Sequence, residues 1–335
     1  MDTAHPYIAH CPIMPQEIYG FLADEQVFKA LQDKLFVDLT LGYGGHARFL
    51  LDRYPSLKLL AFDQDPQAIK HAQEDLLPLY GQRLTLALKN FKDAPTILAP
   101  HSCAHILLDL GVSTHQLLAA ERGFSWGQNG PLDMRMNQEA LIPTAADLVN
   151  NLSEAELTEI FLNYGEEPLA PKIAAAICHA RQQAPLRTTQ ELENIVFHCY
   201  PPKWRHGRTH PATKVFQGLR IKVNQELEIL AQTLPALLPC LAVGGRLSVL
   251  SFHSLEDRIV KQCFLQAVQG LAGTRKSKNK YPPRDAKVDA GLSAPLASSP
   301  SYELVTKKPW QASAEELAAN HRARSAKLRI IIRVS

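Results

Sequence analysis

No two of the six cysteines, Cys11, Cys103, Cys178, Cys199, Cys240 and Cys263, lie within four residues of each other. That excludes a zinc knuckle and a CxxC redox pair, and it fits single buried thiols in a reducing compartment. The N-terminus, Met-Asp-Thr-Ala-His, lacks a basic stretch followed by an apolar run, so no secretory leader is expected. The most apolar stretch, Leu234 to Val243, is interrupted by Pro235 and Pro239 and is far too short to span a bilayer. A cytoplasmic protein with no membrane partner is the expectation. Internal repeats are also lacking, and no P-loop lysine follows the glycine-rich segment, which argues against ATP.

What is present is a chain of 335 residues, 46% apolar and 21% charged. That is enough to bury a sizeable core in two domains, or in one large domain carrying an insertion. The net charge of +3 is unevenly spread. Between Lys172 and Lys222 nine Lys/Arg face only Glu191 and Glu193, a net +7 that leaves −4 on the rest of the chain. A basic block in an otherwise slightly acidic protein points to a polyanionic partner on one face.

Four short apolar runs, Leu35–Leu41, Lys58–Asp63, Leu84–Phe91 and His105–Leu110, alternate with helical patterns. Continuous hydrophobicity suits strands buried on both faces, and the alternation predicts a parallel α/β sheet. From about Ala119 to Arg220 the pattern turns helical, with capping boxes at Ser153/Glu156 and Thr188/Glu191 and a further helix over Pro171–Arg181. A long helix is expected over Pro211–Leu234. A fifth strand follows the glycine turn at Gly244-Gly245 and ends at Ser251, and Ser254 is expected to cap the next helix. Gly270–Pro300 reads as a mobile Gly/Pro/Ser-rich loop, and Tyr302–Thr306 and Lys327–Val334 as a closing antiparallel pair.

The first strand runs into Asp38-Leu39-Thr40-Leu41-Gly42-Tyr43-Gly44-Gly45-His46. Glycines there allow a tight turn and an exposed helix N-terminus. Asp63, at the end of the second strand, is placed to accept both hydroxyls of an adenosine ribose. A nucleoside-containing cofactor follows, with two alternatives. Gly42, Gly44 and Ala47 satisfy the dinucleotide pattern, whereas Asp38 suits the ammonium of S-adenosylmethionine better than a pyrophosphate. Asp109, ending the fourth strand, should face the same crevice and could receive a hydrogen bond from an exocyclic amine. The fifth strand delivers Ser251-Phe252-His253-Ser254 to that edge. Ser251 and His253 are therefore candidate substrate contacts.

Longer runs carry a resemblance. Asp38-x-Thr-x-Gly-Tyr-Gly-Gly-His46, Asp109-Leu-Gly-Val-Ser113, Glu121-Arg-Gly-Phe124, Gly130-Pro-Leu-Asp-Met-Arg-Met136 and Ser251-Phe-His-Ser-Leu-Glu-Asp-Arg258 closely resemble the bacterial small-subunit rRNA cytosine-N4 methyltransferase family, RsmH or MraW. Tyr164-Gly-Glu-Glu167, His210-Pro-Ala-Thr213 and Arg322-x-Arg-Ser325 agree with it. The resemblance implies a class I, Rossmann-like S-adenosylmethionine-dependent methyltransferase sheet (residues 1–118 and 223–335) with an inserted helical substrate-recognition domain (119–222). It implies S-adenosylmethionine as cofactor and methylation of one cytosine N4 in the decoding region of 16S rRNA, in the small ribosomal subunit. By position it places Gly44, Gly45, His46, Asp63, Phe91, Asp109 and Gln116 at the cofactor. Phe91 would end the third strand and pack on adenine.

Cytosine N4 is a weak nucleophile, so an acceptor for its hydrogen is needed more than a strong base. Asp109 or a nearby backbone carbonyl is the candidate. The target base would be unstacked against Phe252, Phe124 or Trp126. Lys203, Arg205, Arg208, Lys214 and Arg220 in the basic block are the candidate RNA contacts. The sequence departs from the family pattern at Thr114-His115, Asn129 and His321.

Overall fold

The computed structural model describes residues 11–207, 209–270 and 301–335. Each expected apolar run becomes a strand: β1 (Leu35–Asp38), β2 (Leu59–Asp63), β3 (Leu84–Leu88), β4 (Cys103–Asp109), β5 (Leu241–Ser251), β6 (Tyr302–Leu304) and β7 (Lys327–Arg333). They form one sheet in the order β3-β2-β1-β4-β5-β7-β6. The first five strands are parallel, and β7 lies antiparallel between β5 and β6. Strand order reverses between β1 and β4, and in open α/β sheets that switch point opens a crevice at the strands' carboxyl ends.

Burial explains the composition of the strands. Cys103 to Leu108 of β4 are all buried, because one core packs on each face of the sheet. Leu50, Leu51, Ile18 and Leu328 lie on one side, and Phe62, Leu234, Leu237 and Phe264 on the other. A third cluster is drawn from Phe124 through Val223, including Ile160, Phe161, Ile173, Val196 and Leu219. It fills the expected helical region, where the Glu154–Asn163, Ala170–Arg181 and Thr189–Cys199 helices stand. Both capping boxes form. The expected loop at 271–300 and Arg208 lie outside the described residues.

Four local expectations are corrected. β3 ends at Leu88, and Phe91 opens a 3-10 turn that the Asn90 side chain caps. β5 begins before the glycines: it runs from Leu241 through Gly244-Gly245 as a bulge, with Leu241 opposite Cys103 and Arg246 opposite His105. A Cβ on Gly245 would lie 2.6 Å from the Cys103 carbonyl oxygen, so the bulge requires glycine there. The helix after β5 is capped by His253 rather than Ser254, in a box with Glu256. The long helix breaks at Gln225, which sits at φ 51°, into Ala212–Asn224 and Glu226–Leu237. Beside the break the Asn224 side chain accepts from Met136 N and donates to Met134 O, both at 2.8 Å.

One buried polar cluster joins the sheet to the helical region. Asp65 caps the Pro66–Asp75 helix through Oδ1, while its Oδ2 accepts from Arg122 Nη1 and Gln116 Nε2, both at 2.7 Å. Arg122 is 1% exposed, and its other terminal nitrogen donates to Met136 O at 2.7 Å. Removing one member of a buried ion pair strands the other charge, at a cost of about 3–5 kcal/mol. Arg122→Ala is therefore expected to lower unfolding free energy by about that amount in urea denaturation. A loss under about 1 kcal/mol would show that the pair contributes no more than a surface one.

Candidate active site

The crevice lies where the switch point predicts it. The glycine loop after β1 supplies Gly42, Gly45 and His46, β2 supplies Asp63, the turn after β3 supplies Phe91, β4 supplies Asp109, and the short helix beyond it supplies Gln116. Gly44 stands at the N-cap of the Gly45–Arg53 helix with φ 75°. A Cβ there would meet Leu76 Cδ1 at 2.4 Å, so the turn that exposes the helix N-terminus needs a glycine. Every expected cofactor residue except Gly44 lines this one crevice, and Gly44 shapes its loop.

Asp63 is held by the backbone around it: Oδ2 accepts from Gly42 N at 2.8 Å and Oδ1 from Asp65 N at 2.9 Å. Each oxygen keeps further acceptor capacity for a ribose hydroxyl. Gln116 closes a capping box with Ser113 and reaches Asp65, which fixes it in the wall. Asp109 N donates to Thr40 Oγ1 at 2.6 Å, and Asp109 Oδ2 lies 3.8 Å from His46 Nε2. Asp109 Oδ1 is buried and has no hydrogen-bond partner among the described residues. An orphaned buried acceptor aimed into a crevice calls for a donor from a ligand. Asp38 turns its carboxylate onto Thr40 N at 3.0 Å and is not part of the wall.

The remaining candidates divide. Ser251 is 1% exposed and bonds Lys327 O at 3.3 Å, so it serves the β5–β7 pair. His253 lies against Glu256 Oε1 at 3.2 Å. Neither lines the crevice; Phe252, which lies between them, and Glu256 do. Phe124 is packed in the helical core, and Trp126 is stacked elsewhere, so of the three aromatics only Phe252 faces the site. Arg220 is not a free RNA contact: its guanidinium is paired through two nitrogens with Glu226, at 2.8 and 3.0 Å. Arg205 donates to Tyr200 O and Lys214 to Glu166 O, both at 2.9 Å, while Lys203 is exposed.

Sequence reasoning missed Glu226 and Glu256. With Asp63 and Asp109 they give the crevice four carboxylates, against Arg322 and no lysine among the described wall residues. Arg322 donates to Val112 O at 2.9 Å and to the Thr114 hydroxyl. The balance decides between the two cofactor alternatives. Glu226 and Glu256 have cationic partners inside the protein, so a pyrophosphate dianion would be opposed by Asp63 and Asp109, whereas a sulfonium and an ammonium would be attracted to them. The residues fit S-adenosylmethionine.

Sheet order, glycine loop and acidic crevice together define a class I S-adenosylmethionine-dependent methyltransferase. The profile of the MraW methylase family matches residues 7–334. Proteins named ribosomal RNA small subunit methyltransferase H are similar along nearly their whole length. The one from Syntrophotalea carbinolica is 44% identical over 332 residues, covering 97% of this chain and 98% of its own. That from Synechococcus sp. is 42% identical over 322 residues, covering 96% and 93%. This chain belongs to the MraW methylase family. No helix among its described residues is long and apolar enough to cross a membrane.

Burial, with the neighbouring acids, has a measurable consequence. Desolvation pushes Asp63 up to about 6. It pushes Asp109 up to about 7, where Arg322 opposes the shift and Glu256 adds to it. Asp38 also rises to about 7, by desolvation and then by the charges of Asp109 and Asp63 against the hydrogen bond from Thr40. The folded protein thus keeps protons that the unfolded chain releases near pH 4. Their stabilising contribution is complete below about pH 4 and is lost as pH rises through the folded values. Unfolding free energy of the ligand-free protein should fall from about pH 5 to about pH 8, and Asp109→Asn should flatten that fall. Denaturant melts across the range check this; identical slopes in the two proteins would remove Asp109 from the account.

Proposed function

We propose that this protein transfers the methyl group of S-adenosylmethionine to the exocyclic N4 of a cytosine in 16S rRNA of the small ribosomal subunit, the target lying in the decoding (P-site) region. The near full-length similarity to ribosomal RNA small subunit methyltransferase H carries this reading. Residues 1–118 and 223–335, whose described part carries the sheet, are the catalytic unit, and 119–222, with their own apolar cluster, are the unit that recognises RNA.

Asp63 holds the ribose, with Phe91 at the adenine end and Gln116 completing the wall. S-adenosylmethionine supplies an electrophilic methyl group. The residues' task is to present N4 to it. Asp109 Oδ1, the buried acceptor without a partner, takes a hydrogen bond from N4. That helps the nitrogen pyramidalise and fixes its direction, so positioning contributes much of the rate. The proton becomes acidic once the methyl adds, and Asp109, its affinity raised by burial, can receive it. Phe252 offers a ring against which the unstacked base can lie.

The test is mass mapping of small-subunit rRNA from cells lacking the protein, before and after treatment with purified enzyme and S-adenosylmethionine. One cytosine should gain a single methyl; an unchanged rRNA would refute the reading. Asp63→Ala should weaken S-adenosylmethionine binding by about 10- to 150-fold, the range for losing a hydrogen bond to a charged group. Calorimetry giving wild-type affinity would remove Asp63 from the site.

The basic block is proposed as a phosphate-contacting surface. Lys203, Arg205 and Lys214 carry it, Arg208 adds to it, and Arg220 is engaged by Glu226. Neutralising Lys203, Arg205 and Lys214 together should weaken subunit binding. It should also shallow the log–log salt slope by somewhat under about one unit for each phosphate that no longer meets a cation. Wild-type affinity and slope in the triple variant would mark the block as a solvated face.

A further inference from the structure

Four separate segments bring flat groups into one column on the helical unit. The Trp126 indole, from the loop after Arg122, lies on the His210 imidazole with centroids 3.8 Å apart and planes 10° apart. His210 lies in turn over Phe197 at 5.9 Å and 18°. The Arg205 guanidinium covers Phe197 at 5.2 Å, and His206 meets its edge at 5.8 Å. His210 is fixed in its plane at both ends. Its Nδ1 accepts from Ala212 N at 3.2 Å, and its Nε2 stands 3.3 Å from Glu193 Oε1.

This column is not core packing. Trp126 remains 38% exposed although one face rests on His210. Trp204, another indole on the same unit, is 54% exposed with Lys203 Nζ 5.2 Å from its ring centroid. From Lys203 to Lys222 there is no acidic residue. Exposed rings interleaved with cations are the pattern by which proteins hold single-stranded nucleic acid: bases stack on the rings and phosphates meet the cations. The 3.8 Å spacing within the Trp126–His210 pair is close to the rise of about 3.4 Å between bases along one strand. A base added to the indole would continue the column. Bases inside a duplex have both faces covered, so away from helix ends an unpaired nucleotide is the one that can do so.

We propose that Trp126, held by His210, is a stacking shelf for an unpaired nucleotide of the RNA substrate other than the methylated base. Phe252 faces the crevice and Trp126 does not line it, so the two rings serve different nucleotides. The proposal rests on the rRNA-methyltransferase reading above. It makes Trp126 and His210 determinants of which RNA conformation is accepted: a strand opened at more than the target position.

Two measurements test it. The first is fluorescence. The chain has three tryptophans, so Trp204→Phe with Trp310→Phe leaves Trp126 as the only indole emitter. A short single-stranded oligoribonucleotide of mixed sequence should quench it, whereas the same sequence annealed into a duplex should not. The second is kinetic. Trp126→Leu should raise KM for the small subunit and for protein-free 16S rRNA by about tenfold, within the range for losing one base–aromatic stack. S-adenosylmethionine affinity and kcat should hold at wild-type values, and Trp126→Phe should recover most of the loss. Thermal melts of each variant separate loss of the shelf from loss of the fold.

Absence of quenching together with wild-type KM in Trp126→Leu would overturn the shelf. So would a loss of affinity confined to the intact subunit and absent on protein-free rRNA, because the ring would then be meeting a ribosomal protein. Failure of the underlying reading looks different: wild-type enzyme would methylate no cytosine, while quenching by the single strand would still support the shelf.

Discussion

The Asp65 carboxylate joins the parts of this molecule that have to work together. One oxygen caps the helix after β2, and the other receives Gln116 from the crevice wall and Arg122 from the entrance to the helical region. Its own backbone N–H donates to Asp63, the proposed ribose partner. Arg122 carries the connection onward to the carbonyl of Met136, in the segment that Asn224 also holds. A buried charge pair of this kind adds little net stability over an apolar substitute. What it does supply is geometry, because the two terminal nitrogens of Arg122 meet Asp65 and Met136 O together in only one arrangement. Cofactor wall, helix cap and helical insertion are thereby set relative to one another by a few hydrogen bonds.

The crevice itself is arranged against stability. Burial makes its carboxylates costly to ionise, and the charge of Glu256 raises the proton affinity of Asp109 and Glu226 further. Two of them are compensated inside the protein. Glu226 is paired with Arg220, which offsets part of the upward push of its burial. Glu256 is held below the usual carboxylate range because His253, Arg220 and the Phe252 N–H outweigh its desolvation. Asp63 and Asp109 are not compensated in this way, and both are pushed upward. The uncompensated pair is the pair assigned to the ligand, which agrees with the tendency of strongly shifted groups to mark functional sites.

The sheet was legible because a strand buried on both faces is apolar along most of its length, and β1, β2 and β4 are apolar up to a closing aspartate, with His105 the one polar residue inside them. The cofactor loop was legible because glycine at positive φ leaves a compositional trace. The break at Gln225 left none: neither glycine nor proline stands there, and the bonds that hold the neighbouring Asn224 come from Met134 and Met136, far away in sequence. Pairing across that break also hid Arg220, whose partner Glu226 lies on the next helix. At the end of β5, Ser251, Phe252 and His253 follow one another, and neighbouring residues on an extended chain point in opposite directions. A polar cluster read as a unit could not show that the apolar member faces the crevice. The long motifs were legible only through resemblance.

The position of β7 bears on how the chain acquires its shape. β5 pairs with β4 on one side and with β7 on the other, yet β7 is the last strand in chain order. During synthesis the far edge of β5, with Leu247, Val249 and Leu250 among its residues, stays open until Lys327–Arg333 arrives. An apolar edge left unpaired is a template for wrong strand pairing, and contacts between distant segments form slowly. Until β7 closes over it, β5 is the stretch of the nascent sheet most exposed to misassembly. Closure also sets Lys327 and Arg329 on Asp257 at 3.2 and 2.7 Å. This strand is thereby pinned to the helix that follows Phe252, and one wall of the reaction site becomes rigid only after Lys327–Arg333 has been made.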